Sequence, residues 1–220
     1  MGTALSVAAL VVAVAVAVLA LAVPGGLRAL PGFLMEMPTF SLSASEPLDP
    51  AADDQHCSGT VDPVTAEAPG RNFADGAILG TRTADLRAFA MRYNEIRITH
   101  CLTPIPAANF RYDECMEDRL DWMASDPSDD PASAWGHEGS VRSDGVPSIG
   151  CDGNLAGGAG NTGATVAQKW WESLPHRAAL YRPTESGPVD GVCIAFAMTH
   201  GGLPDEPQSF VRASAAWTDC

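Results

Sequence analysis

Basic side chains are scarce in this sequence. Lys169 is the single lysine, and thirteen lysine and arginine residues face twenty-seven acidic ones, for a formal net charge of −14. Phosphate backbones are held by clustered basic groups, so the deficit argues against nucleic acid as a partner. The same acidity repels anionic lipid headgroups and leaves any membrane contact to an apolar segment. Close cysteine pairs are missing too. Cys57, Cys101, Cys115, Cys151, Cys193 and Cys220 are spread along the chain without a C-x-x-C pair, whereas thiolate metal clusters usually need one. An even, dispersed count suits disulfides formed in an oxidising compartment, with six buried thiols as the alternative.

Charge is absent altogether from residues 4–23, ALSVAALVVAVAVAVLALAV, where Ser6 is the only polar side chain. About twenty apolar residues suffice to cross a bilayer as a helix, and Pro24-Gly25-Gly26 then stops it. Ala20-Leu21-Ala22 also offers a small-residue cleavage site, although no basic residue precedes the run. Residues 1–23 are therefore read as a transmembrane anchor or a signal peptide. Arg28 weakly favours a cytoplasmic C-terminal side; the cysteines favour the opposite, and the domain is placed outside the cytoplasm, membrane-anchored or secreted. Residues 24–82 are dense in Pro, Asp, Ser, Thr and Ala and read as a linker. Residues 83–220 remain as the compact domain.

Within that domain, Leu86, Phe89, Ala90 and Tyr93 recur at helical spacing and predict a helix over 83–98 with Thr83 as its N-cap. Met116, Leu120, Met123 and Ala124 predict a second over about 110–125, ended by Asp126-Pro127. Val166, Trp170 and Leu174 predict a third. Residues 191–199, GVCIAFAMT, read as a strand buried on both faces, and 209–217 as its partner. The expected class is mixed α/β (α+β), with helices packed on a small sheet.

Gly158, Gly160 and Gly163 spell the G-x-G-x-x-G of a dinucleotide loop. That loop needs a buried parallel strand directly before it, and PSIGCDGNLA is too short and too rich in turn residues to be one. A better account comes from the motifs in order. Asn94-x-x-Arg97 stands in the first helix, and Trp135-Gly136-His137 follows the second. Gly153-Asn154-Leu155-Ala156-x-Gly158 precedes Trp170-x-x-Ser173-x-x-His176-Arg177. This ordered set resembles the bacterial branch of the CAP superfamily, also called SCP-like, over about residues 84–217. The resemblance implies a three-layer α-β-α sandwich with a central cleft, and it makes the glycines a turn into the Trp170 helix.

In many members of that family the cleft holds two histidines and two acidic residues, sometimes with a divalent metal. The resemblance places His137 and His176 at the histidine positions. Gly153 and Ser173 stand where the acids would be, while Asp152 and Glu172 lie one residue away. His137, Asn154, Ser173, His176 and Asp152 are thus the candidate cleft residues. No cofactor is expected; the alternative is a divalent ion such as zinc on His137 and His176. Ser173 and His176 share a helix face without a nucleophile elbow, and no catalytic residue is assigned. Cys101–Cys115 is one guess among about fifteen pairings. The function implied is non-enzymatic binding of a small apolar ligand or protein partner at the cell envelope. The alternatives are a metal-assisted hydrolase of wall peptides or proteins, and a structural envelope component.

Overall fold

The computed structural model describes Cys57, residues 59–185 and residues 187–220. The apolar run at 4–23, and with it the expected anchor or signal peptide, lies outside the described residues, as does the linker as far as residue 56. Among the described residues no helix is long and apolar enough to cross a membrane.

The chain is a mixed α/β fold with helices on both faces of one six-stranded, mainly antiparallel sheet. In chain order the elements are β1 (Asn72–Phe73), β2 (Ile78–Leu79), α1 (Thr83–Thr99), β3 (Phe110–Tyr112), α2 (Glu114–Ala124), β4 (Asn154–Ala159), α3 (Gly163–Glu172), α4 (Leu174–Leu180), β5 (Val192–Gly202) and β6 (Glu206–Asp219). The sheet runs β1-β2-β5-β6-β4, and β3 lies parallel beside β5. The apolar run expected at 191–199 becomes β5, buried along nearly its whole length. Alternation along it feeds two cores. Ile194, Phe196 and Met198 face α1 and α3, while Ala195 and Ala197 face α2 with Met116, Leu120 and Met123.

Phe89 occupies the middle of the larger core. Its ring stacks on Phe196 at 4.3 Å and meets Trp170 and Phe110 edge-on at 5.7 and 6.2 Å. One aromatic ring thereby ties α1 to β5, β3 and α3. Such pairs add to the burial of large apolar area. Tyr93 stacks on Tyr181 at 4.4 Å and donates its hydroxyl to Leu180 O at 2.6 Å, which fixes the end of α4.

Several expectations need correction. The second helix starts at Glu114, not near 110, because Phe110–Tyr112 extend to pair with β5 and Asp113 caps the helix by accepting from Met116 N at 2.8 Å. The third breaks at Ser173, whose ψ of 116° is extended. Pro175 explains the break: it has no N–H to continue α3 and begins α4 instead. The cap of α1 is Arg82 rather than Thr83, with Asp85 accepting from Arg82 N at 2.9 Å.

The cysteines pair as Cys57–Cys101, Cys115–Cys151 and Cys193–Cys220, so Cys101–Cys115 is not formed. Cys115, in the first turn of α2, faces the loop that returns to β4, and Cys151 N donates to its carbonyl at 2.9 Å. Three disulfides suit an oxidising environment.

The boundary at residue 83 also moves. Strands β1 and β2 extend the sheet, and Val64 joins the larger core. The attachment is polar as well as apolar. Glu117 is fully buried; it accepts from Thr81 N at 2.6 Å and Tyr112 hydroxyl at 2.7 Å, with Arg71 at 3.4 Å. Removing one member of a buried charge pair leaves the rest unsatisfied. Glu117→Ala is therefore expected to lower the unfolding free energy by about 3 kcal/mol, measured by denaturant titration. An unchanged midpoint would show that the 70–81 segment is not held this way.

Candidate functional site

Three segments carry the candidate cleft residues. The loop joining α2 to β4 carries Trp135, His137 and Asp152. Asn154 opens β4, and the α3–α4 junction supplies Ser173 and His176. The loop is long, so its shape depends on what pins it.

Asp126 pins its start. This carboxylate is 4% exposed and accepts from the amides of Ser128 and Ser143, both at 2.9 Å, and from the Ser143 hydroxyl. Burial opposes ionisation, but these donors and the Ser133 hydroxyl hold the carboxyl down to about 2. Cys115–Cys151 pins the far end.

Asp152 accepts from Glu138 N at 2.8 Å, and its other oxygen lies 3.5 Å from His137 Nδ1 and 3.8 Å from Arg119 Nη2. Arg119 is 1% exposed and lies beneath this loop, its guanidinium 5.6 Å from the Trp122 ring centre. A chain of Arg119, Asp152 and His137 thus leads from the α2 core to an exposed imidazole. Sequence reasoning missed Arg119, although its position among Met116, Leu120 and Met123 put a charge on a core face of α2.

On the opposite side, His176 is half-buried, with Nδ1 2.9 Å from Ser173 Oγ. Its pKa is lowered, first by burial and then by the charge of His137. Two imidazoles far apart in sequence therefore share one electrostatic environment. Asn154 does not reach towards them: its amide donates to Ala215 O at 3.3 Å on the paired strand.

The glycines serve packing. Gly158 and Gly160, at φ 114° and 72°, form the turn, and Asn161 caps the carbonyls of Gly157 and Gly158. A Cβ on Gly163 would lie 2.1 Å from Asp85 O and 2.8 Å from Phe89 N, so only glycine lets α3 settle on α1. The preceding strand is an antiparallel edge, unlike the parallel strand before a dinucleotide loop.

The donor set does not fit a resident metal. Among the described residues no three His, Cys, Asp or Glu side chains gather as ligands. Glu172 instead accepts from Gln168 at 2.8 Å. A Cβ on Gly153 would stand 2.4 Å from Ser214 Oγ and 2.9 Å from Ala215 O, so a glutamate there would push into β6.

Some large apolar side chains are exposed. Leu174 and Ile149, 69% and 53% exposed, adjoin Ser173 and the Asp152 segment in sequence, and Trp135 is 37% exposed. Trp135 also lines a hollow of about 250 Å³ with Pro131, Ala132, Gly157, Gly158 and Phe210. Periodicity with Val166 and Trp170 put Leu174 on the buried face of the third helix; the break at Ser173 before Pro175 turns it outward instead.

Two expectations follow. Asp126→Ala should cost about 2 kcal/mol at neutral pH. Because Asp126's folded pKa lies below its ordinary value, the stability it contributes is present above about pH 4 and lost as the pH falls towards 2. Thermal unfolding of both proteins across pH 2–7 reads the gap; a gap that does not close on acidification would contradict this role. For His176, ionisation is disfavoured in the fold, so stability should fall as pH drops below its ordinary value near 6.5. His137→Gln should raise the His176 pKa, as read by NMR titration of the ring protons. No rise would show that the two rings do not sense each other.

The chain matches no family model, no curated protein and no solved structure.

Proposed function

We propose that this is an exported, membrane-tethered CAP-domain protein whose cleft binds a small apolar ligand or an envelope protein partner without turning it over. The observation that carries the reading is that the charge of His137 reaches His176, in a fold that also exposes Trp135, Ile149 and Leu174. Support for the family comes from the motif order, from helices on both faces of the sheet, and from the glycines acting as packing residues. This arrangement fits the three-layer α-β-α sandwich of that family. Three disulfides agree with a place outside the cytoplasm, and the apolar run at 4–23 would supply the tether.

The cleft suits binding more than hydrolysis. Its lowered pKa leaves His176 neutral near pH 7, so the site presents rings and aliphatic groups with little positive charge. Asp152 accepts from a backbone amide and lies near Arg119 and His137, an arrangement that orients the loop. Metal-assisted hydrolysis needs a ligand set that the described residues do not assemble.

Fluorescent sterol and fluorescent fatty acid, titrated into the full-length chain, test the reading alongside Leu174→Ser and His176→Ala. Saturable binding of either probe, weakened about tenfold in both variants, is the expected result. Calorimetry with zinc is the counter-test. Stoichiometric zinc uptake lost in His137→Ala, with no saturable apolar binding, would move the hydrolase ahead.

A further inference from the structure

The Asn94-x-x-Arg97 element contributes nothing to the cleft, yet Arg97 is the most unusual charge in the molecule. It is 3% exposed, near the end of α1. Its Nε donates to Thr103 O at 2.6 Å and its Nη1 to Tyr181 O at 2.8 Å; the Trp217 ring centre is 5.4 Å from its guanidinium carbon. The other two deeply buried arginines each have a carboxylate within 4 Å, Arg212 with Glu206 at 2.6 Å and Arg119 with Asp152 at 3.8 Å. Among the described residues Arg97 has none. Carbonyl oxygens and ring faces offset only part of the cost of burying a cation, so a counter-ion is missing.

Arg97 also lines a cavity of about 220 Å³, with Cys101, Leu102, Thr103, Pro183, Glu185 and Gly187. We infer that this cavity is an anion site for a small monocarboxylate, whose carboxylate supplies the counter-ion that Arg97 lacks. A planar guanidinium matches a carboxylate edge-on and forms charge-assisted hydrogen bonds to it. The chemistry of the wall narrows the ligand. Arg97 is the one cation of the wall, and the acidic Glu185, 3.5 Å from Arg182 outside it, stands there too, so a dianion such as phosphate gains less than a monoanion. Leu102 and Pro183 offer contact to a short aliphatic body. The volume is below the ~300–1,000 Å³ of pockets that enclose drug-sized ligands, which excludes a long acyl chain. No residue of this wall belongs to the His137–His176 cleft, so the inference stands or falls apart from the function proposed above.

The test is a titration of the isotope-labelled full-length chain with sodium propionate and sodium butyrate at constant ionic strength, followed by backbone amide shifts. Sodium chloride and sodium phosphate serve as separate arms. Saturable shifts of the Leu102, Thr103 and Gly187 amides are expected with the carboxylates and not with chloride. Arg97→Lys should weaken binding about tenfold or more. Because Arg97 also holds two carbonyls, Glu185→Gln supplies an independent check: removal of the like charge should tighten binding about two- to fivefold. The inference is overturned if the shifts fail to saturate, if chloride reproduces them, if phosphate binds tighter than butyrate, or if Glu185→Gln leaves the affinity unchanged.

Discussion

The contact between α1 and α3 is the constraint on which the rest of the architecture turns. Gly163 brings the start of α3 against Asp85 O and Phe89 N, a distance no side chain would permit. That approach lets Phe89 meet Trp170 edge-on while stacking on Phe196 of the central strand. Once α3 is set, the chain must turn at Ser173, since Pro175 cannot extend the helix, and α4 leaves in a new direction. Ser173 and His176 acquire their positions through this sequence of steps. A glycine that resembles part of a nucleotide motif is thus, in physical terms, a packing residue that positions Ser173 and His176.

The place of His137 is built differently. No regular element carries His137; its place follows from a loop held at both ends. Asp126 collects donors from Ser128 and Ser143 at the start, and Cys115–Cys151 closes the end onto α2. Between them Arg119 reaches from beneath to Asp152, which orients the backbone at Glu138 and stands beside the imidazole. One histidine is therefore positioned by apolar packing and the other by polar anchoring. The first should resist a change in pH that loosens the second, because carboxylates protonate while ring packing does not.

Much of this was legible in the sequence, and the exceptions have identifiable causes. The spacing of Leu86, Phe89, Ala90 and Tyr93 marks α1 because burial on one face repeats over about two turns. The run at 191–199 marks β5 because both faces of that strand are covered. Phe110–Tyr112 escaped notice because three residues carry too little pattern, and their pairing with β5 is a long-range event. The segment before residue 83 reads as a linker by composition, yet Val64 and Ile78 are enough to seat it once Glu117 supplies acceptors for Thr81. Disulfide partners depend on which loops meet in space, which local spacing does not encode. At the site, His137 and His176 were identified by the motifs that contain them. Arg119 was not, since a charge on a core face has meaning only when its partner Asp152 is known to lie above it.

Scarcity of basic residues has a further consequence inside the fold. Arg97, Arg119 and Arg212 are all nearly fully buried, so three of the thirteen basic side chains do not contribute to the surface. Each acts instead as an internal strut. Arg212 takes both oxygens of Glu206 and the carbonyl of Pro131, joining β6 to the loop after α2. Arg119 supports that loop near Asp152, and Arg97 joins the carbonyls that follow α1 and α4. Planar guanidinium groups suit this work, since a single side chain presents several fixed donors to scattered oxygens. The exterior stays acidic, since among the described residues Glu117 and Asp126 are the buried acids that offset them. At long range such a surface repels polyanions; at short range only apolar contacts or an enclosed arginine can hold a ligand. The carbonyl-bound guanidinium of Arg97, which belongs to a residue lining a cavity, is one place where the described fold meets those conditions.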